Sequence, residues 1–377
     1  MTENKENNIN TDNNKDINKY FVAFSRINKI GPRRLERLLA YFPDIKTAWH
    51  ANLADLLAAG IDENTAHEIV ILKNEINPDE QWERLLTEGI RTVTIADADY
   101  PPLLREIYEA PYLLYYRGSL EALKNFCLAV VGSRKHTAYG ERVVAEIVAD
   151  LSRSGITIVS GLALGIDALA HAATLGNQGK TVAVLGSGVD WQNVYPSANR
   201  YLAKKIIDSG GAVITDFCLG TPPGKHTFPY RNRIISGLSL GTLVIEAGES
   251  SGSLITAKFA LEQNRQVFAV PGSIFNSYSV GTNNLIRQGA FPVTKAADVL
   301  EALNLQQIEQ FIDNRQSIPA SADEAMILKN LTKEPLHIDK ISQLCKIKIN
   351  VLSGQLLLME MKGMIKNIGG QCYVLLH

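Results

Sequence analysis

With 377 residues the chain is long enough for two or three domains whose cores need no disulfide or metal to hold them. Hydrophobic residues make up 46% of it, yet no apolar run approaches the roughly 18–20 residues that cross a bilayer, which excludes a helical membrane protein. The net charge of -1, from 38 Lys and Arg against 39 Asp and Glu, decides nothing about nucleic acid, because a local basic patch can sit within a neutral total.

Residues 1–18 are rich in Asn, Lys, Glu and Asp and lack the apolar segment of a secretory signal. They cannot bury enough apolar surface to offset their ordering entropy and read as a disordered tail. The four cysteines, Cys127, Cys218, Cys345 and Cys372, are scattered and form no CxxC, so reduced thiols in a cytoplasm are expected and a zinc site is not.

Residues 19–95 read as a helical domain, with apolar residues at three- and four-residue spacing. Ile30-Gly31-Pro32-Arg33-Arg34-Leu35 places Gly in a turn and Pro at a first helical position, where its missing N–H is harmless. A second turn, Ala59-Gly60-Ile61-Asp62, precedes another helical stretch. Two such hairpins resemble the helix-hairpin-helix (SAM-like) arrangement, whose tight turn can aim amides at a phosphate. A small packing domain is the other reading.

From 96 to 304 short β-branched runs alternate with helical stretches. Strands are expected at Leu128–Val131, Thr157–Val159, Thr181–Leu185, Ala212–Thr215, Thr242–Ile245 and Gln266–Ala269. Helices are expected at Gly140–Arg153, Asp167–Leu175, Asn199–Asp208 and Ser253–Gln263. This alternation argues an α/β fold with a Rossmann-like, doubly wound parallel sheet and a ligand site at the carboxyl ends of its strands.

The glycine-rich joints carry the chemistry. The first strand ends in Gly132-Ser133-Arg134, ahead of a helix near Gly140 whose N-terminus favours an anion. It is not the dinucleotide GxGxxG, since a cation stands where that motif has glycine. Ser160-Gly161 leads to Asp167, a candidate helix cap, and to His171, a candidate for simple burial. The segment from Gly224 to Ser236 carries Lys225, Phe228, Tyr230, Arg231, Asn232 and Arg233, with no acid between Phe217 and Ile245. Cations interleaved with aromatics suit single-stranded nucleic acid, because phosphates require charge and unpaired bases a flat apolar face. A solvated loop with Phe228 tucked into the core is the plainer reading. Glu246 ends a further strand, where it could serve as a general base but is expected instead to accept hydrogen bonds from loop amides or Arg side chains. Ser251-Gly252-Ser253 opens the next helix. No nucleophile–base series, HExxH or Walker A motif occurs, which favours binding over turnover.

Residues 305–322 are polar, include Pro319 and read as a linker. Residues 323–377 suggest three helices and a Gly369-Gly370 hairpin, a winged helix. From Met326 onward seven lysines face Glu334, Asp339 and Glu360, 7 − 3 = +4, which suits DNA without requiring it.

Taken together, VVGSRKHTAYG, SGLALGIDALAH, VLGSGVDWQNVYPSAN, GKHTFPYRNRIISGLS, VIEAGESSGSLITA and PGSIFNSYSVGTNNLIRQGA resemble the DNA-processing protein A (DprA/Smf) family over about 101–300, in the right order. That resemblance implies an extended Rossmann-like domain that binds single-stranded DNA, forms a homodimer, and helps a RecA-type recombinase onto strands covered by single-strand-binding protein during natural transformation. Carried over by position, Arg134, Lys225, Arg231 and Arg233 would meet phosphate, Phe228 a base, and Gly132, Ser160 and Gly161 would let the strand approach the backbone. Ser133 and Asn232 complete the implied set; no catalytic residue, metal or cofactor is implied. Leu285, Ile286 and Phe291 are candidates either for the dimer contact or for core packing. The alternative is a phosphoribohydrolase-like enzyme on a related fold, whose PGGxGTxxE signature is only partly kept: Gly241-Thr242 is present, but Glu246 is one residue too far along. A transcription regulator acting through the winged helix is a third reading.

Overall fold

Short runs of β-branched and small apolar residues stack into one sheet because both of its faces are covered by helices, which is the condition for a parallel sheet. The computed structural model describes residues 17–303, 322–332, 335–361 and 364–375. The expected linker lies outside these apart from Ala322, and the expected tail lies outside apart from Ile17 and Asn18, which open the first helix. Two compact units are separated after Ala302.

The first unit begins with six helices, α1 (17–25), α2 (Pro32–Tyr41), α3 (Ile45–His50), α4 (Leu53–Ala58), α5 (Glu63–Leu72) and α6 (Pro78–Thr87). Pro32 sits in the first turn of α2, and Gly60 takes φ +78° between α4 and α5. Arg37 donates to the Gly60 carbonyl at 2.8 Å, and Arg34 pairs with Asp62 at 2.8 Å, so the two hairpins are tied to each other. Phe24, Ile27, Leu38, Trp49, Leu56 and Ile69 form the core between them and continue into the sheet at Tyr115 and Leu185.

The sheet has nine strands: β1 (Arg91–Thr94), β2 (Leu113–Gly118), β3 (Cys127–Val131), β4 (Thr157–Ser160), β5 (Thr181–Val184), β6 (Ala212–Thr215), β7 (Gly241–Val244), β8 (Gln266–Ala269) and β9 (Phe291–Pro292). Their order is β1-β2-β6-β5-β4-β3-β7-β8-β9. β6 through β9 run parallel, while β2 pairs antiparallel with both β1 and β6. Only a four-residue helix, Pro102–Arg105, stands between β1 and β2, too short to show a period, and β1 starts before residue 96. The six expected strands stand within a residue or two of their expected limits.

The intervening helices are α7 (Pro102–Arg105), α8 (Ala138–Val143), α9 (Ala149–Arg153), α10 (Ile166–Gly176), α11 (Arg200–Asp208), α12 (Thr227–Gly237), α13 (Ser253–Glu262), α14 (Val280–Arg287) and α15 (Ala296–Leu303). A π-helical turn at Val144–Val148 joins α8 to α9. Successive strands step outward from β3 to β6, and the chain then returns to β7 on the other side of β3. β3 and β7 therefore flank the topological switch point, where the loops after the two strands diverge and leave a crevice.

The second unit contains α16 (Ala322–Asn330), β10 (Leu336–His337), α17 (Ile338–Cys345), α18 (Ile349–Met361), β11 (Ile365–Asn367) and β12 (Cys372–Leu375). β12 lies between β10 and β11, and Gly369 and Gly370 turn the hairpin at φ +99° and +59°. Ile327, Ile341, Leu352, Leu356 and Ile365 are fully buried among one another. Among the described residues, three helices with a three-stranded wing make this unit a winged helix.

Candidate nucleic-acid interface

A cleft of about 790 Å³ opens at the switch point. Its floor is Val131 at the end of β3 with Gly132 and Ser133 after it. One wall is Lys225, Phe228, Arg231 and Asn232, and the other is the turn Gly248–Ser253 leading into α13.

The 132–134 loop is shaped by what it packs on. A β-carbon at Gly132 would meet the Ile166 side chain at 2.7 Å, so glycine here lets β3 close on α10. Gly165 (φ +81°) presses against the carbonyls of Ser133 and Arg134 for the same reason. The Ser133 N–H donates to the Glu246 carbonyl at 2.7 Å, and its hydroxyl closes a turn on the Lys135 backbone. Arg134 is thereby carried to the rim, exposed, with its guanidinium carbon 5.3 Å from the Phe228 ring centroid.

Sequence reasoning puts an anion at the N-terminus of the helix near Gly140. The structure corrects this, because the protein supplies its own anion there. Glu246, 1% exposed, accepts from the Thr137 N–H at 2.9 Å and from the Thr137 hydroxyl at 2.5 Å. A β-carbon on Gly140 would stand 2.3 Å from its Oε2. Charge in the cleft therefore comes from side chains, not from α8. The same geometry commits the carboxylate that the hydrolase signature would need.

From Thr227 onward the segment is helix, α12, while Gly224–His226, with Lys225, form the turn that leads into it. Pro229 is tolerated because it falls in the first turn, where its N–H would have no helical partner. At 100° per residue, Phe228, Arg231 and Asn232 share the face toward the cleft, while Arg233 lies about 140° round from Phe228. Phe228 is half-buried: it rests on Gly186 and lies 5.7 Å from the Tyr195 ring. Lys225 is exposed at the cleft mouth. Neither Arg134 nor Lys225 has a carboxylate partner among the described residues.

The other two arginines are engaged within the protein. Arg231 is 5% exposed, donates to the carbonyls of Gly161 and Val184, and reaches Asn232 Oδ1 at 3.2 Å. Burial holds its guanidinium down at about 10, against the nearby Asp167, which raises it. Asp167 accepts from the amides of Gly161 and Ala163 at 3.1 and 3.4 Å, and burial pushes its carboxyl up. Arg233 pairs with Asp216 at 2.6 Å, donates to the Glu109 carbonyl at 2.6 Å and lies over Tyr230. Ser160 is fully buried and donates to the Val130 carbonyl at 2.6 Å. A β-carbon on Gly161 would strike the Arg231 guanidinium at 2.6 Å. Arg134, Lys225, Phe228 and Asn232 thus converge on open space, and Gly132, Ser133, Ser160, Gly161 and Arg231 form the support beneath them. Arg233 faces elsewhere.

Two participants escaped the sequence reading. Tyr195, 47% exposed, extends the aromatic surface beyond Phe228. Lys135 adds a fourth cation to the lining, whose acids are Asp167 and Glu249. His171 is fully buried, with Nδ1 2.7 Å from the Thr181 hydroxyl. Among the described residues no helix is long and apolar enough to cross a membrane.

Residues 91–304 match the family model described as DNA recombination-mediator protein A, and residues 313–371 match that of the DprA winged helix domain. The chain is similar to Protein Smf of Escherichia coli, 42% identical over 282 residues that cover 73% of this chain and 75% of that protein. Its fold is similar to the X-ray structure of DNA processing protein A from Streptococcus pneumoniae, with TM-score 0.66, 37% identity and coverage of 75% and 97%. It is similar also to DNA processing protein A from Helicobacter pylori, solved for its single-stranded DNA binding mode, with TM-score 0.51, 25% identity and coverage of 57% and 95%.

Proposed function

From the premise that this chain belongs to the DNA recombination-mediator protein A (DprA/Smf) family, we propose that it binds single-stranded DNA in the switch-point cleft. The observation that carries this reading is the pairing of Arg134 with Phe228 at the cleft mouth, a cation and a flat ring side by side, with no carboxylate among the described residues drawing the cation away. A phosphate meets Arg134, Lys225 and Lys135, and an unpaired base lies on Phe228 beside Tyr195. Asn232 lines the cleft with its Oδ1 accepting from Arg231 Nε at 3.2 Å and its Nδ2 donating to the Gly252 carbonyl at 3.3 Å, and it offers its second N–H and remaining lone pair to a base edge. Arg231 contributes long-range positive charge while holding α12 against β5.

Such contacts are salt-sensitive and tolerant of sequence, which suits a protein that must hand its strand on. The further reading is that of a cytoplasmic mediator, not an enzyme. It would speed assembly of a RecA-type recombinase on strands coated by single-strand-binding protein during natural transformation, acting as a homodimer that holds two strand segments at once. Phe291, 47% exposed, and the half-buried Leu285 and Ile286 remain its candidate dimer residues.

The deciding experiment is a salt-dependent titration of single-stranded and duplex oligonucleotides of equal length. Preference for the single strand, with affinity falling as salt rises, supports the reading; preference for duplex overturns it. Strand exchange on precoated DNA, with and without this protein, tests the mediator role. Release of free base from a nucleotide would instead favour the hydrolase reading.

A further inference from the structure

A second basic and aromatic surface lies on the loop that leads away from the cleft. From Trp191 to Ile207 the chain carries Arg200, Lys204 and Lys205 and no Asp or Glu. Trp191, Gln192, Arg200, Tyr201 and Lys204 enclose a hollow of about 280 Å³. Lys204 Nζ stands 5.3 Å from the Trp191 ring and Lys205 Nζ 4.7 Å from the Tyr201 ring, and neither has a carboxylate partner among the described residues. Packing on the core accounts for the inner side of Trp191. It does not account for Tyr201, which is 69% exposed.

The hollow is framed by hydrogen bonds from two arginines. Arg200 donates from Nε to the Val194 carbonyl at 3.2 Å and from Nη2 to the Gln192 carbonyl at 2.6 Å, which clasps the loop. Arg117 donates to the Val189 carbonyl at 3.0 Å, pairs with Glu88 at 2.9 Å, and places its guanidinium carbon 5.0 Å from the Trp191 ring. The same loop ends at Tyr195, whose ring lies 5.7 Å from Phe228 in the cleft. Tyr195 follows Trp191 by four positions, so their Cα atoms stand no more than about 14 Å apart, a distance that a few nucleotides of extended strand cover.

We propose that this hollow is a second stacking station for the strand that leaves the cleft. One unpaired base enters against Trp191 and Tyr201, and Arg200, Lys204 and Lys205 meet the phosphates on either side. Lys204 moves its ammonium from the ring face to a phosphate, so both groups keep a partner. The proposal rests on the single-strand reading of the cleft and extends it by giving the site a length and a direction, from Phe228 past Tyr195 to Trp191.

The test compares an oligothymidylate of about 6 nucleotides, which fills the cleft alone, with one of about 20. Tyr201→Ala is expected to weaken the long oligonucleotide roughly 5- to 150-fold and to leave the short one unchanged. Lys204→Ala combined with Lys205→Ala is expected to reduce the salt slope of the long oligonucleotide by about 1.4. Arg134→Ala is expected to weaken both lengths. If Arg134→Ala weakens both while the Tyr201 and lysine variants leave the long oligonucleotide unchanged, or weaken both lengths equally, the second station is overturned alone. If the wild-type chain binds neither length, the reading of the cleft is overturned and the second station with it.

Discussion

Arg134 and Arg231 are both arginines beside the same cleft, yet burial gives them opposite assignments. Arg134 is exposed, and Arg134→Ala should change unfolding free energy by no more than about 0.5 kcal/mol. It should weaken single-strand binding by about 1.5–3 kcal/mol, the worth of a charge-assisted contact. Arg231→Leu should instead destabilise the fold by about 3–5 kcal/mol, because it strands the buried Asp167 and leaves the Gly161 and Val184 carbonyls without their donor. Urea unfolding beside an oligonucleotide titration separates the two; equal stability of both variants would refute the distinction. His171 supplies a pH dependence. Burial depresses its pKa from 6.5 to about 3. The folded state thus holds it neutral while the unfolded chain takes up a proton below pH 6.5. Stability from this group is full above 6.5 and is lost by about 1.4 kcal/mol per pH unit as pH falls toward 3. Unfolding curves at several pH values check it: His171→Leu should lower stability at pH 7 and flatten the slope below 6.5.

At the scale of elements, α12 decides which of its side chains face the cleft. Its rotation carries Phe228 and Asn232 to the cleft and Arg233 to Asp216, so equal spacing in a list of cations conceals unequal roles. Phe228→Ala should weaken single-strand binding by about 1–3 kcal/mol if the ring holds a base. A lower melting temperature with unchanged affinity would make the ring core alone. The N-terminus of α8 shows a complementary effect. Thr137 caps the helix through its hydroxyl to the Gly140 N–H and binds Glu246, so it joins the loops after β3 and β7 across the switch point. Thr137→Ala should cost about 1–2 kcal/mol in unfolding free energy.

For the whole molecule, the division after Ala302 predicts that deletion of 323–377 leaves a folded chain that still binds single strands. Circular dichroism and titration of the truncated protein measure this, and loss of binding with the fold intact would move the principal site to the winged helix. The parallel strands and their helices were legible in the sequence because each is a local pattern. A run such as Leu128-Ala129-Val130-Val131 alternates with amphipathic helices, and Gly punctuates the joints. The antiparallel strands β1 and β2 were not legible: Arg91–Thr94 and Leu113–Gly118 pair through a long excursion, and β2 is completed only by β6, some hundred residues away in the chain. The site divided along the same line. Residue types and their order in the chain determined by themselves that Arg134, Lys225 and Phe228 were candidates, because cations, aromatics and missing acids can be read locally. Only the tertiary structure decided that Arg231 lies under the cleft, that Arg233 is turned away, that Glu246 fills the N-terminus of α8, and that Tyr195 continues the aromatic surface. Those outcomes depend on burial and on which distant carbonyl or carboxylate a side chain reaches, and neither is set by a residue's neighbours in sequence.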